Sequence, residues 1–149
     1  MENNKDNAIS TDIASLFDAI ITQGSVTGEV TLGENLNIML KVLDTGELLA
    51  AEAEATTNHP FMPDDIVSRG RIVSILTAAT VSLNGIDIEQ KHLTKEDNRV
   101  RKHTLFKKYM ALPVYLVDEA YAKYKELQEK QKNIYTKPVN ELQEDIENF

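Results

Sequence analysis

The sequence predicts an α+β domain, with a small antiparallel β-hairpin or sheet packed on a mostly helical body and a long helix toward the C-terminus. Three observations carry this. Val30, Leu32, Leu36, Ile38, Leu40 and Val42 alternate with mostly polar neighbours on either side of Gly33-Glu34-Asn35, the pattern of two strands joined by a three-residue turn. The alternation stops at Asp44, and "DTGELLAAEAEA" reads as a helix. From Pro63 onward the apolar residues recur at helical spacing, interrupted at Asn84-Gly85 and at Leu112-Pro113.

Taken in order, residues 1–10 are polar and read as a flexible N-terminus. Ser10 or Thr11 caps a helix to about Thr22, with Ile13, Leu16, Phe17, Ile20 and Ile21 on one face and Gly24 placed to end it. The hairpin strands cover Ser25–Leu32 and Leu36–Leu43, and Gly28 marks a candidate bulge in the first. Asp44 and Glu47 have capping-box spacing. The helix they open is rich in Ala and Glu, with few large apolar residues beyond Leu48 and Leu49, so it should be short and half exposed. "TTNHPFMP" is a connector that two prolines keep non-helical.

Pro63 suits the first turn of the next helix, with Asp64 and Asp65 at its positive end. Ile66, Val67, Ile72, Val73, Ile75, Leu76, Ala79, Val81 and Leu83 make it the most apolar element, a central core helix expected to run to about Leu83. Asn84-Gly85 ends it, and "IDIEQ" is either one short strand or an exit loop. Thr94 and Asp97 have cap spacing for a helix whose apolar residues are Val100, Leu105, Phe106, Tyr109 and Met110. After Leu112-Pro113 a long helix spans Val114–Ile134 on a stripe of Val117, Ala120, Tyr121, Tyr124 and Leu127. The stripe thins beyond Leu127, so the far end is expected to project from the body. One domain over 11–135 is then followed by an acidic amphipathic tail over 136–149. In that tail Val139, Leu142, Ile146 and Phe149 follow 3–4–3 spacing, and the helix they predict either folds back or lies in a groove on a neighbour.

The 149 residues suit one domain with a sizeable core. No apolar run approaches the ~20 residues of a membrane span, and "MENNKDNAIST" has no apolar signal core, so neither membrane insertion nor secretion is expected. The absence of cysteine removes disulfides, thiolate nucleophiles and cysteine-ligated zinc, and fits a reducing compartment. The net charge of −8 argues against general nucleic-acid binding. Yet residues 91–108 hold seven Lys or Arg against Glu96 and Asp97, a net of +5, which leaves −13 on the remainder. Such asymmetry marks either a solvated helix face or electrostatic pairing with a partner or another copy.

Few constellations suggest chemistry. His59, His92 and His103 lie far apart without second ligands at metal spacing. Asp64-Asp65 resembles a metal or catalytic pair, but adjacent carboxylates at a helix N-terminus also complement its dipole. The six glycines form no phosphate loop or dinucleotide fingerprint, and there is no G-x-S-x-G elbow. Ser68-Arg69-Gly70-Arg71 is a small basic spot on the core helix. "RVRKHTLFKKY" mixes cations with aromatics that suit either phosphate and base contacts or, for Phe106 and Tyr109, core packing. Tyr115, Tyr121 and Tyr124 suit an interface or the core.

A hairpin reading "GEVTLGENLNIMLKVLDTGELLAAEAEA", then "RGRIVSILTAATVSLNGIDI", then a helical, charged final third resembles small tail-assembly and baseplate-associated proteins of tailed bacteriophages. The residues that carry it are Leu40–Glu47 and Arg71–Ile88, within a span of roughly 28–125, and they are structural in character. The resemblance implies a non-enzymatic structural or assembly protein, in the virion tail or in the host cytoplasm during assembly. Its partners would be other tail or baseplate proteins or copies of itself, with no cofactor, metal or membrane. The candidate partner-binding residues are Arg99, Arg101, Lys102, Lys107 and Lys108 as an electrostatic surface, and Val139, Leu142, Ile146 and Phe149 as a docking helix. The alternatives are a nucleic-acid-associated regulator using the basic 91–108 helix, or a small ligand-binding or enzymatic domain around His59, Asp64 and Asp65.

Overall fold

The computed structural model describes residues 13–18, 26–58 and 64–136, with side chains over 13–18, 26–56 and 68–133. The fold is α+β. After a helical stretch over residues 13–18 (α1) come β1 (Thr27–Leu32), β2 (Leu36–Lys41), α2 (Thr45–Asn58), α3 (Asp64–Ala79), β3 (Thr80–Leu83), β4 (Ile86–Asp87), α4 (Lys95–Ala111) and α5 (Val114–Thr136). Thr27–Leu127 make one compact unit; the chain on either side of it makes a second. In the second, Ile13 and Phe17 of α1 are exposed, and Gln128, Glu129 and Lys130 of α5 face solvent. Among the described residues no helix is long and apolar enough to cross a membrane.

The four strands form one antiparallel sheet in the order β1-β2-β3-β4. The first hairpin closes with Leu32 opposite Leu36, and Gly33 takes the left-handed φ of 62° that its three-residue turn requires. Gly28, Val30 and Leu32 share a face with Leu40, Ile38 and Leu36, and Ile38 and Leu40 are fully buried. On the other face the Thr31 hydroxyl donates to Asn37 Oδ1 at 2.8 Å.

The expected bulge at Gly28 is not there, because β1 and β2 pair in unbroken register from Thr27 to Leu32. The irregularity lies between β2 and β3, where Met39 pairs with Ser82 and Leu40 with Thr80, so that Val81 is the extra residue. Gly28 has a different role. A Cβ there would lie 2.5 Å from Cδ2 of Leu127, which is itself 1% exposed. The missing side chain lets α5 approach β1 closely.

The Asp44–Glu47 capping box is complete. The Glu47 amide donates to Asp44 Oδ1 at 2.8 Å, and the Asp44 amide donates to Glu47 Oε1 at 3.1 Å. α2 buries only small residues on its inner face, among them Ala51 and Ala55.

The central helix ends earlier than expected. α3 stops at Ala79, and Thr80–Leu83 is a strand rather than the last turn of the helix. Asn84 (φ 49°) and Gly85 (φ 79°) are both left-handed and form a two-residue hairpin turn into β4, so Asn-Gly joins strands instead of capping a helix. Asn84 also clamps β2, accepting from the Asn37 amide at 2.7 Å and donating its own amide to the Asn37 carbonyl at 2.8 Å.

No loop separates α3 from β3, and Thr80 makes the junction. Its hydroxyl donates to the Leu76 carbonyl at 2.6 Å and meets the Tyr109 hydroxyl at 2.7 Å. The Thr80 proton is committed to Leu76, so Tyr109 donates to Thr80. The core around this point holds Val73, Ile75, Leu76 and Ala79 of α3, Leu105 and Tyr109 of α4, and Val117, Ala120, Tyr124 and Leu127 of α5. The Leu43 amide donates to Tyr124 Oη at 3.4 Å, and Arg69 pairs with Asp118 at 2.6 Å. Of the apolar residues expected to bury α4, Val100 and Met110 are instead 56% and 51% exposed. Tyr124 is core, Tyr121 is half-buried and stacked on it, and Tyr115 is exposed.

Two outcomes follow from this packing. Gly28→Val should cost about 1–3 kcal/mol in urea unfolding through overpacking against Leu127. Added to Leu127→Ala, it should cost less than the two single losses together, because the cavity accepts the new methyls. Burial pushes the Tyr109 phenol up to about 12. The Thr80 hydroxyl opposes this in part, since it can turn its proton toward a phenolate. A phenol protonated more tightly in the native state stabilises it fully below the ordinary value of 10.0, and that stability is lost as pH rises from there toward 12. Denaturant titrations should show roughly 2–3 kcal/mol of alkaline loss, at about 1.4 kcal/mol per pH unit, that Tyr109→Phe lacks.

Candidate functional site: a groove between three helices

α3 packs against both α2 and α4. Between those two flanks lies an open groove of about 850 Å³. Its floor is made of small residues, Ala50 and Ala51 from α2 and Ser74, Thr77 and Ala78 from α3. Ser74, Thr77 and Ala78 fall at i, i+3, i+4 spacing on α3, and on α2 Ala50 and Ala51 sit three and four residues after Glu47, so each helix turns one face to the same space. The groove exists because nothing larger fills it.

Its walls differ in charge. α2 contributes Glu47 and Glu54, while α4 contributes Arg99, Lys102, His103 and Lys107. Val100 and Phe106 add apolar surface on the α4 side, and the His103 ring stacks on Phe106 with centroids 6.4 Å apart. Thr77 donates its hydroxyl to the Val73 carbonyl at 2.8 Å. Ser74 does not follow suit: its residue is 3% exposed, and its Oγ has no hydrogen-bond partner. A buried hydroxyl left unpaired costs about 1–3 kcal/mol.

The α4 wall is held by polar contacts on its inner face. Thr94 caps the helix, accepting from the Asp97 amide at 3.1 Å. Asn98 donates to the Gln90 carbonyl at 3.1 Å and accepts from the Gln90 amide at 3.0 Å. Arg101 donates from Nε to the Ile88 carbonyl at 2.8 Å and from NH2 to the Asp87 carbonyl at 2.9 Å. Asn98, Arg101, Leu105 and Tyr109 therefore form one stripe that docks α4 on β4, on the loop after it and on Thr80.

The five basic residues singled out from sequence thus separate. Arg101 faces the protein's own backbone. Arg99 pairs with Glu96 at 2.8 Å, with both side chains largely exposed. Lys102 pairs with Glu89 at 2.9 Å, and this hydrogen bond, with the lysine's charge behind it, holds the Glu89 carboxyl below its usual value. Lys107 lines the groove, and Lys108 is exposed outside it. Val139, Leu142, Ile146 and Phe149 lie outside the described residues, as do His59 and the side chains of Asp64 and Asp65. Among the described residues no group of three or more His, Asp or Glu is placed to hold a metal ion.

Sequence reasoning missed the groove floor. Its one trace was the Ala-rich, Leu-poor helix after Asp44, which reads as half exposed without saying what it faces. Ser74 gave no signal at all, since a serine in an apolar helix is ordinary. No protein-family model, no curated protein and no solved structure matches the chain.

The different duties of Arg101 and Lys107 give a direct comparison. Arg101→Met should lower stability by about 1–3 kcal/mol, since it leaves two backbone carbonyls without a charged donor. Lys107→Met should change it by less than about 0.5 kcal/mol, as expected of an exposed substitution. Urea unfolding of the two variants measures both.

Proposed function

We propose that this chain is a non-enzymatic structural or assembly protein acting through contacts with other proteins, and that its setting is the tail or baseplate of a tailed bacteriophage. The observation that supports the first part is the groove: a floor of small residues, walls of opposite charge and a buried, unpaired hydroxyl. α2, α3 and α4 supply three sides of a four-helix packing, and the fourth side is open to an incoming helix. Small floor residues let helix backbones approach closely, and the charged walls set orientation more than affinity. The second part rests on the resemblance of the hairpin, the apolar segment and the charged final third to tail-assembly proteins.

The same geometry weighs against the nucleic-acid reading. Of the cations in the basic segment, Arg101 is engaged with backbone, and Arg99 and Lys102 are paired with carboxylates. Three of the seven cations over residues 91–108 are thus engaged by the protein itself, which narrows the surface left for phosphate contacts.

Electron microscopy of phage particles assembled without the protein tests the setting. Tails should be absent, shortened or lacking their baseplate, and supplying the chain in trans should restore them. Normal, infectious particles would overturn the reading. Retardation of DNA or RNA at low salt, weakened by Lys107→Ala with Lys108→Ala, would favour the regulator instead. Those two positions serve better than Arg101, whose loss disturbs the fold.

A further inference from the structure

We propose that the groove receives the C-terminal segment Pro138–Phe149 of a second copy of the chain. This rests on the reading of the groove as a protein-binding site and names its occupant. The groove asks for a helix with a narrow apolar ridge and acid able to reach the α4 wall. The chain's own segment has those features in its sequence. Val139, Leu142 and Ile146 form the ridge that the spacing predicts, and Glu141, Glu144, Asp145 and Glu147 supply acid with no Lys or Arg between them.

The lengths agree as well. The α2 wall from Glu47 to Glu54 and the α4 wall from Arg99 to Lys107 each run about 11–12 Å at 1.5 Å per residue. Val139 to Ile146 as a helix runs about 11 Å. The segment's acid would face Lys107, which has exposed charge and no carboxylate beside it among the described contacts.

Copies that carry both the segment and the groove associate in a head-to-tail sense, and two copies close the exchange into a dimer. Exposed Lys107 and Lys108 on α4, set against the segment's acid, favour this encounter over contact between like faces.

The test uses the full chain and two complementary variants. One ends after Thr136 and keeps the groove. The other carries Ala50→Trp, which fills the groove from an exposed position on α2 and keeps the segment. Circular dichroism establishes that each folds, and Ala78→Trp, which fills the groove from α3, stands in should Ala50→Trp not. Light scattering should find the full chain dimeric or larger, each variant alone monomeric, and an equimolar mixture of the two restored to a one-to-one complex. Lys107→Glu should weaken association about fivefold, and more at low salt than at high. A monomeric full chain, association that survives removal of the segment, or variants that stay apart when mixed would overturn the proposal. If the chain is monomeric and Ala50→Trp still fails to rescue particle assembly, the groove keeps its role as a protein-binding site and only the second-copy occupant falls.

Discussion

The hydroxyl pair of Thr80 and Tyr109 is the contact on which the rest of the compact unit depends. Thr80 ends the α3 ladder by donating to Leu76 and begins β3 by pairing with Leu40. Tyr109 reaches it from α4, so one buried oxygen joins the central helix, the sheet and the groove wall. The absence of a loop between Ala79 and Thr80 makes this position exacting. A helix carbonyl has room for a second donor, and the first strand residue supplies one from its own side chain, as Thr77 does for Val73 within the helix. Because that hydroxyl has one proton, the second bond must come from outside, and a tyrosine is long enough to bring it while filling core volume.

α4 illustrates how a helix can be docked without an apolar stripe. Its buried hydrophobic residues are Leu105 and Tyr109, and the remaining inner positions are Asn98 and Arg101. Both satisfy main-chain groups on the segment from Asp87 to Gln90, where a strand of two residues leaves its carbonyls and amides short of sheet partners. This is the inverse of the usual arrangement, in which a cation on a helix faces water. It also explains why a count of charges overstates the field of this helix: part of the positive charge neutralises fixed carbonyl dipoles and local carboxylates before any partner arrives.

Much of the architecture was legible because it is written in local signals. The hairpin at Gly33, the Asp44–Glu47 box and the Thr94 cap depend on residues three or four apart, and each forms as read. The end of α3 was not legible for a physical reason. In "IVSILTAATVSL" only the small Ser74, Thr77, Thr80 and Ser82 interrupt the apolar residues, so both helical and strand periods fit it, and Val81 as a bulge residue removes the strict alternation that would have decided. Asn84-Gly85 is a capping signal after a helix and a turn signal between strands, and only the strand partner at Met39 settles which. Val100 and Met110 fall at core spacing yet stay exposed, because the face that docks α4 was set by Asn98 and Arg101, which pattern reading counts as outward.

The groove was not legible because it is a shared absence of volume among three helices. Ala50, Ala51, Ser74, Thr77 and Ala78 are each unremarked alone, and only the fold brings them together. Their smallness is costly as an isolated surface. An Ala-lined floor buries little apolar area for α2, and at about 25 cal/mol per Å² that is a real loss against leucine at the same places. The unpaired Ser74 hydroxyl adds to it. Larger residues at Ala50, which is exposed, and at Ala78 would fill part of that space. On the proposed reading, a helix laid between α2 and α4 would supply the missing contacts from outside, so that the small residues of the floor serve docking rather than the isolated unit.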